Sequence, residues 1–290
     1  MMVDWFIAYR PLFDVFLLHT GYALGQYIAL RAGVFSVANA GLSAIGAYLA
    51  AGLTLKLGWP PALSLLAAMV AGTAFALLLS WPLARLRGVY QAIATLAFVQ
   101  VVLSINVYAE GWTGGAMGMN GIPKVVGSGT LLVAALGTIY LMTAISATRL
   151  GRAFDAIRQD EAVAVSLGVS VRFYQSVAFA ISGAIAGLFG GLEAFHGYAL
   201  TPNQFGFSFL VAALSYVVLG GRRSVIGPVV GTAFLVALPE IARPLAEYRM
   251  LVYGLLLMAV IAYFPRGVVD TFLEYLHKRR MAARAEETAL

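Results

Sequence analysis

The chain contains no cysteine, which excludes disulfides and thiolate metal sites. It is also poor in charge: of 290 residues, 11% are charged and 61% hydrophobic, with a mean hydropathy of +0.87. A water-soluble globule carries roughly a quarter charged residues, so this composition excludes one and requires a lipid environment. Several catalytic signatures are missing too. There is no Gly-x-x-x-x-Gly-Lys-Ser/Thr phosphate loop, no His-Glu-x-x-His, no Gly-x-Ser-x-Gly and no pair of carboxylates on one face within a span. An ATPase site within this chain and an intramembrane hydrolase are therefore unsupported, and no metal or cofactor site is expected. The N-terminus lacks a signal-peptide pattern, because Asp4 stands where a basic region belongs and no small-residue cleavage site follows. Insertion through the first span is the expectation.

What is present is a series of apolar runs of about 20 residues, enough to cross a hydrocarbon core roughly 30 Å thick. Runs bounded by charge, glycine and proline predict an all-α, polytopic transmembrane bundle of about nine spans. They cover residues 11–30, 33–55, 61–84, 89–106, 130–148, 173–195, 207–219, 225–241 and 250–264. The prolines at the starts of the first and third suit the first turn of a helix. The seventh and eighth are short, as segments lining a cavity often are. The whole chain, 1–290, reads as a single transmembrane domain.

The net charge of +6 bears on orientation rather than on nucleic acid, for which no partner role is expected. With nine spans and the C-terminus inside, all 19 basic residues except Arg10, Lys56, Lys124, Arg243 and Arg249 fall on the cytosolic side. The positive-inside rule then predicts the N-terminus out and the C-terminus in. The basic tail around Lys278, Arg279 and Arg280 reads as an anchor to anionic lipid heads.

Small residues dominate the spans. Gly183, Gly187 and Gly191 recur every fourth residue, leaving one helix face nearly bare backbone, which favours close helix packing over a ligand surface. Polar residues within spans are costly and are candidates for a solute path. These are Ser36 and Asn39 in the second span, Gln91 and Thr95 in the fourth, and Tyr216 in the seventh. Gln91 and Thr95 share a helix face and Gln100 falls on the opposite side. Interhelical hydrogen bonding is the bland alternative for each. His19 reads as a satisfied buried donor, and Glu193 with His196 as residues of the membrane interface. The glycine-rich stretch 107–129 reads as a flexible cover able to meet a binding protein, or as a long connection resting on the bilayer.

The most polar internal stretch is 149–172, which gathers four arginines and three acids between two apolar runs. Asp160 is a good N-cap, Glu161 suits the first turn, and Gly168 stands where a left-handed residue ends a helix. Together they predict a short helix over 161–167. Upstream, Phe154 and Ile157 share a face, with Arg152, Asp155 and Arg158 around them, which reads as an apolar docking knob or as a solvated return loop.

The run "GRAFDAIRQDEAVAVSLGVSVRFYQSVAFAISGAIAGLFGGLEA" resembles the coupling segment and following helix of permease subunits of ABC importers for branched-chain amino acids, of the LivM type. Two further blocks agree, "GVFSVANAGLSAIGAYLAAGL" and "TPNQFGFSFLVAALSYVVLGGRRSVIGPVVGTAFL". The resemblance implies a permease of the inner membrane without catalysis of its own. Its partners would be a second homologous permease, two ABC ATPase subunits and a periplasmic substrate-binding protein. It also implies that Glu161, Ala162 and Gly168, with Asp160 just ahead, fit a groove on the ATPase. The sequence departs from the family pattern at Val163, where a second alanine would stand, and its glycine comes one residue late. An ion-coupled secondary transporter of small amino acids is the alternative, and a channel or membrane scaffold a third class. The first of these calls for an acid or a basic pair deep in the membrane, and the scaffold needs no structured segment at 160–168.

Overall fold

A computed structural model describes residues 2–241, 254–255, 258, 267–271 and 275, with side chains described from Tyr9 onward. Most of the expected ninth span, with Arg243, Arg249 and the basic tail around Lys278, lies outside the described residues. In chain order the helices are α1 (Met2–Arg31), α2 (Asn39–Leu57), α3 (Pro61–Leu83), α4 (Val89–Tyr108) and a single turn, α5 (Glu110–Thr113). There follow α6 (Ser128–Ala147), α7 (Arg149–Gln159), α8 (Glu161–Ser166), α9 (Val171–His196), α10 (Phe207–Gly220) and α11 (Ile226–Ile241). The only strands among the described residues, β1 (Met119–Asn120) and β2 (Ala199–Leu200), form an antiparallel ribbon. The fold is all-α and polytopic. Among the described residues, six helical segments are long and apolar enough to cross a membrane: α2, α3, α4, α6, α9 and Pro202–Gly220. Ile226–Glu240 is a shorter apolar helix.

The chain divides into two compact units, Met1–Leu214 and Ser215–Leu290. In the first, α1 is long enough to span but is not among the six, because Asp14, His19, Thr20 and Gln26 interrupt its apolar run. From Leu17 to Ala32 it is almost wholly buried, packed by α2, α6 and α9. A polar helix in lipid is tolerated where protein rather than hydrocarbon surrounds it, and α1 takes that central position. The expected start at Pro11 is corrected: the helix begins at Met2 and Pro11 lies inside it. Pro61 does open α3.

The glycine stripe of α9 is a packing surface. A Cβ on Gly187 would stand 2.3 Å from the Ala68 carbonyl oxygen of α3, and one on Gly46 of α2 would stand 2.4 Å from the Gly187 carbonyl oxygen. One on Gly183 would come within 2.3 Å of the Gly72 carbonyl oxygen. Three helices thus meet backbone to backbone, where dispersion and weak Cα–H···O contacts replace side-chain interdigitation.

The expected second span is also corrected. Its helix starts at Asn39 instead of Gly33, and after a turn at Gly33 (φ +79°) the chain runs non-helically through Val34–Val37. Such backbone is stable at membrane depth only when buried in protein, and Val34, Ser36 and Val37 are each less than a tenth exposed. The stretch 107–129 is not an open cover. It folds through α5, a 3-10 turn at Gly115–Met117 and β1, with Thr113, Met119 and Ile122 buried, and Lys56 sits 5.4 Å over the Trp112 ring.

In the second unit, the Gly220–Gly221 turn lets α10 and α11 approach: a Cβ on Gly220 would overlap the Gly227 carbonyl oxygen. The Asp270 carboxylate caps this turn, accepting from the backbone N–H groups of Arg222 at 2.8 Å and Arg223 at 3.0 Å.

Candidate functional site

The segment 149–172 folds as two helices meeting at Asp160. Asp160 leaves the helical region (φ −159°, ψ 115°) and its Oδ1 accepts from the N–H groups of Ala162 at 2.8 Å and Val163 at 3.1 Å. That satisfies two of the donors a helix N-terminus leaves free, and the carboxylate also faces the positive end of the dipole. Glu161 occupies the first turn and reaches Arg87 of the α3–α4 connection at 3.1 Å. Gly168 (φ +80°) ends the helix in the left-handed region, with the Gly168 and Val169 N–H groups donating to the Val165 and Ala164 carbonyls. The expected helix over 161–167 is present within one residue.

The docking knob is corrected. Phe154 is fully buried and Ile157 is 4% exposed; both turn inward, Phe154 edge-on to Tyr174 of α9 and Ile157 against Ala164 and Val171. An i, i+3 pair shares a face whether that face looks to solvent or to the bundle, and here it looks to the bundle. The apolar surface left open is on α8 and its C-cap: Val163, Val165 and Leu167 are each more than half exposed, and only Ala164 of α8 is buried. Val163, the departure from the expected alanine, lies on this open face. Arg158 pairs with Asp155 at 3.5 Å.

Asp155 has a second and closer partner, which the sequence reading missed. Arg31, the last residue of α1, grips its carboxylate with two donors, Nε to Oδ1 at 3.1 Å and Nη2 to Oδ2 at 2.8 Å. The Arg31 Nη1 also donates to the Ser146 hydroxyl of α6. Arg31 is 4% exposed.

Four of the five candidate path residues cluster around the non-helical stretch 34–37. Gln26 donates to the Ser36 carbonyl, and the Ser36 hydroxyl accepts from Ala38 N–H at 3.1 Å. Asn39 Nδ2 donates to the Tyr22 carbonyl at 2.8 Å. The Thr95 hydroxyl accepts from Val37 N–H at 3.1 Å and donates to the Gln91 carbonyl at 2.8 Å, while Gln91 Nε2 donates to the Leu86 carbonyl at 2.9 Å. All four are buried, and Gln100 is exposed on the opposite side of α4. Their hydrogen bonds tie α1, the 34–37 stretch and α4 together. Tyr216, on α10, is buried and belongs to the second unit.

Glu193 accepts hydrogen bonds from the Tyr22 hydroxyl of α1 and from Gln204. His196 stands 3.8 Å from Asp14. His19 packs edge-on against Tyr22 and Phe209. Tyr22, Gln26 and Gln204 carry these polar contacts, yet their side chains look unremarkable in an apolar sequence.

Residues 15–261 match the family described as branched-chain amino acid transport system, permease component. The chain is 30% identical to the high-affinity branched-chain amino acid transport system permease protein LivM of Escherichia coli (strain K12), over 92% of this chain and 71% of that protein. It is equally similar to the LivM protein of Salmonella typhimurium. The autoinducer 2 import system permease protein LsrC of Escherichia coli O157:H7 is 28% identical over 76% of this chain and 67% of its own length. No solved structure matches.

Proposed function

Because the chain belongs to the permease components of branched-chain amino acid transport systems, we propose that it is one of the two membrane-spanning subunits of an ATP-driven importer in the cell inner membrane. Its cargo is a branched-chain amino acid or a similar small polar solute. A second homologous permease, two ABC ATPase subunits and a periplasmic substrate-binding protein complete the machine. Residues 1–290 act as one permease domain, with the C-terminus and the segment 149–172 in the cytosol and the β1–β2 ribbon facing the binding protein.

The observation that carries this reading is α8. A six-residue helix has too few internal bonds to persist in water on its own. This one is capped at both ends, ion-paired at Glu161 and still leaves Val163, Val165 and Leu167 open. An exposed apolar face on a held helix is a surface made for a partner. The ATPase is that partner: Asp160, Glu161, Ala162 and Gly168 set the geometry of the contact, Arg158 steadies α7 beneath it, and ATP-driven closure displaces α8. Phe154 and Ile157 serve by fastening α7 to α9, not by touching the ATPase. In the membrane, Ser36, Asn39, Gln91 and Thr95 line or brace the solute path, and Tyr216 is a candidate of the same kind.

The test is isolation of the tagged chain with its partners in mild detergent, followed by reconstitution. Two ATPase chains and a second permease co-purify, and vesicles loaded with ATP accumulate leucine only when the binding protein is supplied outside. A chain that purifies without ATPase subunits, or uptake driven by an ion gradient without ATP, overturns the reading.

A further inference from the structure

The Arg31–Asp155 pair lies in the middle of a mechanical chain that begins at the open face of α8. Asp155 is on α7, and α7 joins α8 through Asp160 and through the cluster of Ile157, Ala164 and Val171. Arg31 is the last residue of α1, and its next neighbours are the turn at Gly33 and the non-helical stretch 34–37 that carries Ser36. A Cβ on Gly33 would stand 3.4 Å from the Ile157 side chain and 3.7 Å from the Arg158 Cα, so the turn lies beside the end of α7 as well. Buried side-chain charge is costly unless paired, and a two-donor arginine–carboxylate contact fixes angle as well as distance. A cation at the C-terminal end of α1 is further favoured by that helix's dipole.

We propose that Arg31 is a positioning residue: its bidentate grip on Asp155 carries the displacement of α7 and α8 into the C-terminal end of α1, and so into the 34–37 stretch. The proposal rests on α8 being the surface that meets the ATPase. A single apolar contact between α7 and α1 would let the helices slide, whereas the fork-shaped pair turns them as one piece. The Ser146 hydroxyl, the second partner of Arg31, registers the same joint against α6.

The test uses the reconstituted complex, with the ratio of leucine transported to ATP hydrolysed as its readout. Asp155→Asn assembles with the ATPase subunits and hydrolyses ATP at the parental rate, but the ratio falls about fivefold or more, within the range single residues on a coupling route reach. Exchange of the charges, Arg31→Asp with Asp155→Arg, restores at least half of the parental ratio. Should Asp155→Asn fail to assemble, the apolar pair Arg31→Met with Asp155→Leu replaces the ions by packing and assembles, because Arg31 is the buried member and swaps of a buried charge together with its partner are often tolerated. Its ratio remains low. A parental ratio in any assembled variant lacking the pair, or no recovery on charge exchange, overturns the proposal. Failure of the underlying reading looks different, since the unsubstituted chain would then bring down no ATPase at all.

Discussion

Removing the cap of α8 by Asp160→Ala isolates the energetics of the surface helix. In the parent, one carboxylate oxygen holds the N–H groups of Ala162 and Val163, and the six-residue helix has few other backbone bonds to lose. An N-cap aspartate replaced by alanine costs about 1 kcal/mol, with a range of about 0.5–2 kcal/mol. A loss of that size raises the opened fraction of α8 about fivefold, since about 1.4 kcal/mol is a factor of ten. The assay is amide hydrogen exchange on the purified complex. The Leu167, Gly168 and Val169 amides, which close onto the Val163, Val165 and Ala164 carbonyls, exchange about fivefold faster, as the cap loss requires. Amides in the middle of α9 keep their parental rates. Asp160→Asn, which retains an acceptor at the cap, stays within a factor of about two of the parent. ATPase recruitment falls with the folded fraction, because a partner that binds only the formed helix sees less of it. If Asp160→Ala exchanged as slowly as the parent, the cap would not be what holds α8, and the argument for a pre-formed docking helix would fail with it.

Glu161→Arg places a cation beside Arg87 and at the positive end of α8; ATP-driven uptake and ATPase association are lost while the chain still inserts, as membrane fractionation and co-purification would record. Gly187→Ala drives a methyl to 2.3 Å from the Ala68 carbonyl oxygen and destabilises the bundle by about 1–3 kcal/mol, seen as a lower unfolding midpoint in detergent. Gly137→Ala, with open space at its Cβ, leaves that midpoint unchanged or higher. Thr95→Val keeps the shape but strands the Val37 N–H in a buried site, costing about 1–3 kcal/mol, whereas Thr95→Ser retains the acceptor and most of the stability.

What could be read from the sequence was local. The cap at Asp160, the left-handed glycine at 168 and the shared face of Gln91 and Thr95 depend on residues a few positions apart, and all three stand in the structure. The non-helical stretch 34–37 was missed because its residues are as apolar as those of a span; the decisive contacts come from Gln26 on α1 and Thr95 on α4. Phe154 and Ile157 were placed on one face correctly, but helical spacing cannot say whether that face meets solvent or α9. Arg31 with Asp155 and Tyr22 with Glu193 lie more than a hundred residues apart in the chain, so no pattern in the sequence links them. The start of α1 before Pro11 was hidden for another reason. A proline reads as a boundary, yet it is tolerated inside a helix when the lost bond falls near an exposed end.

The partners of the acids bear on the choice between an ATP-driven permease and an ion-coupled carrier. A carrier needs a titratable or cation-binding group well inside the hydrocarbon. At 1.5 Å per residue, Asp14 lies about 26 Å along α1 from Arg31, close to the full thickness of the core, whereas Tyr22, which holds Glu193, lies about 14 Å from it. Glu193 is therefore inside the bundle, near the level of His19, and only Asp14 lies toward the far end of the buried part of α1. Both acids are occupied: Glu193 by Tyr22 and Gln204, Asp14 facing His196. His19 packs edge-on against Tyr22 and Phe209, and the ring near Asp14 is that of His196, at 3.8 Å. What favours the ATP-driven permease is the family match together with the capped, exposed α8.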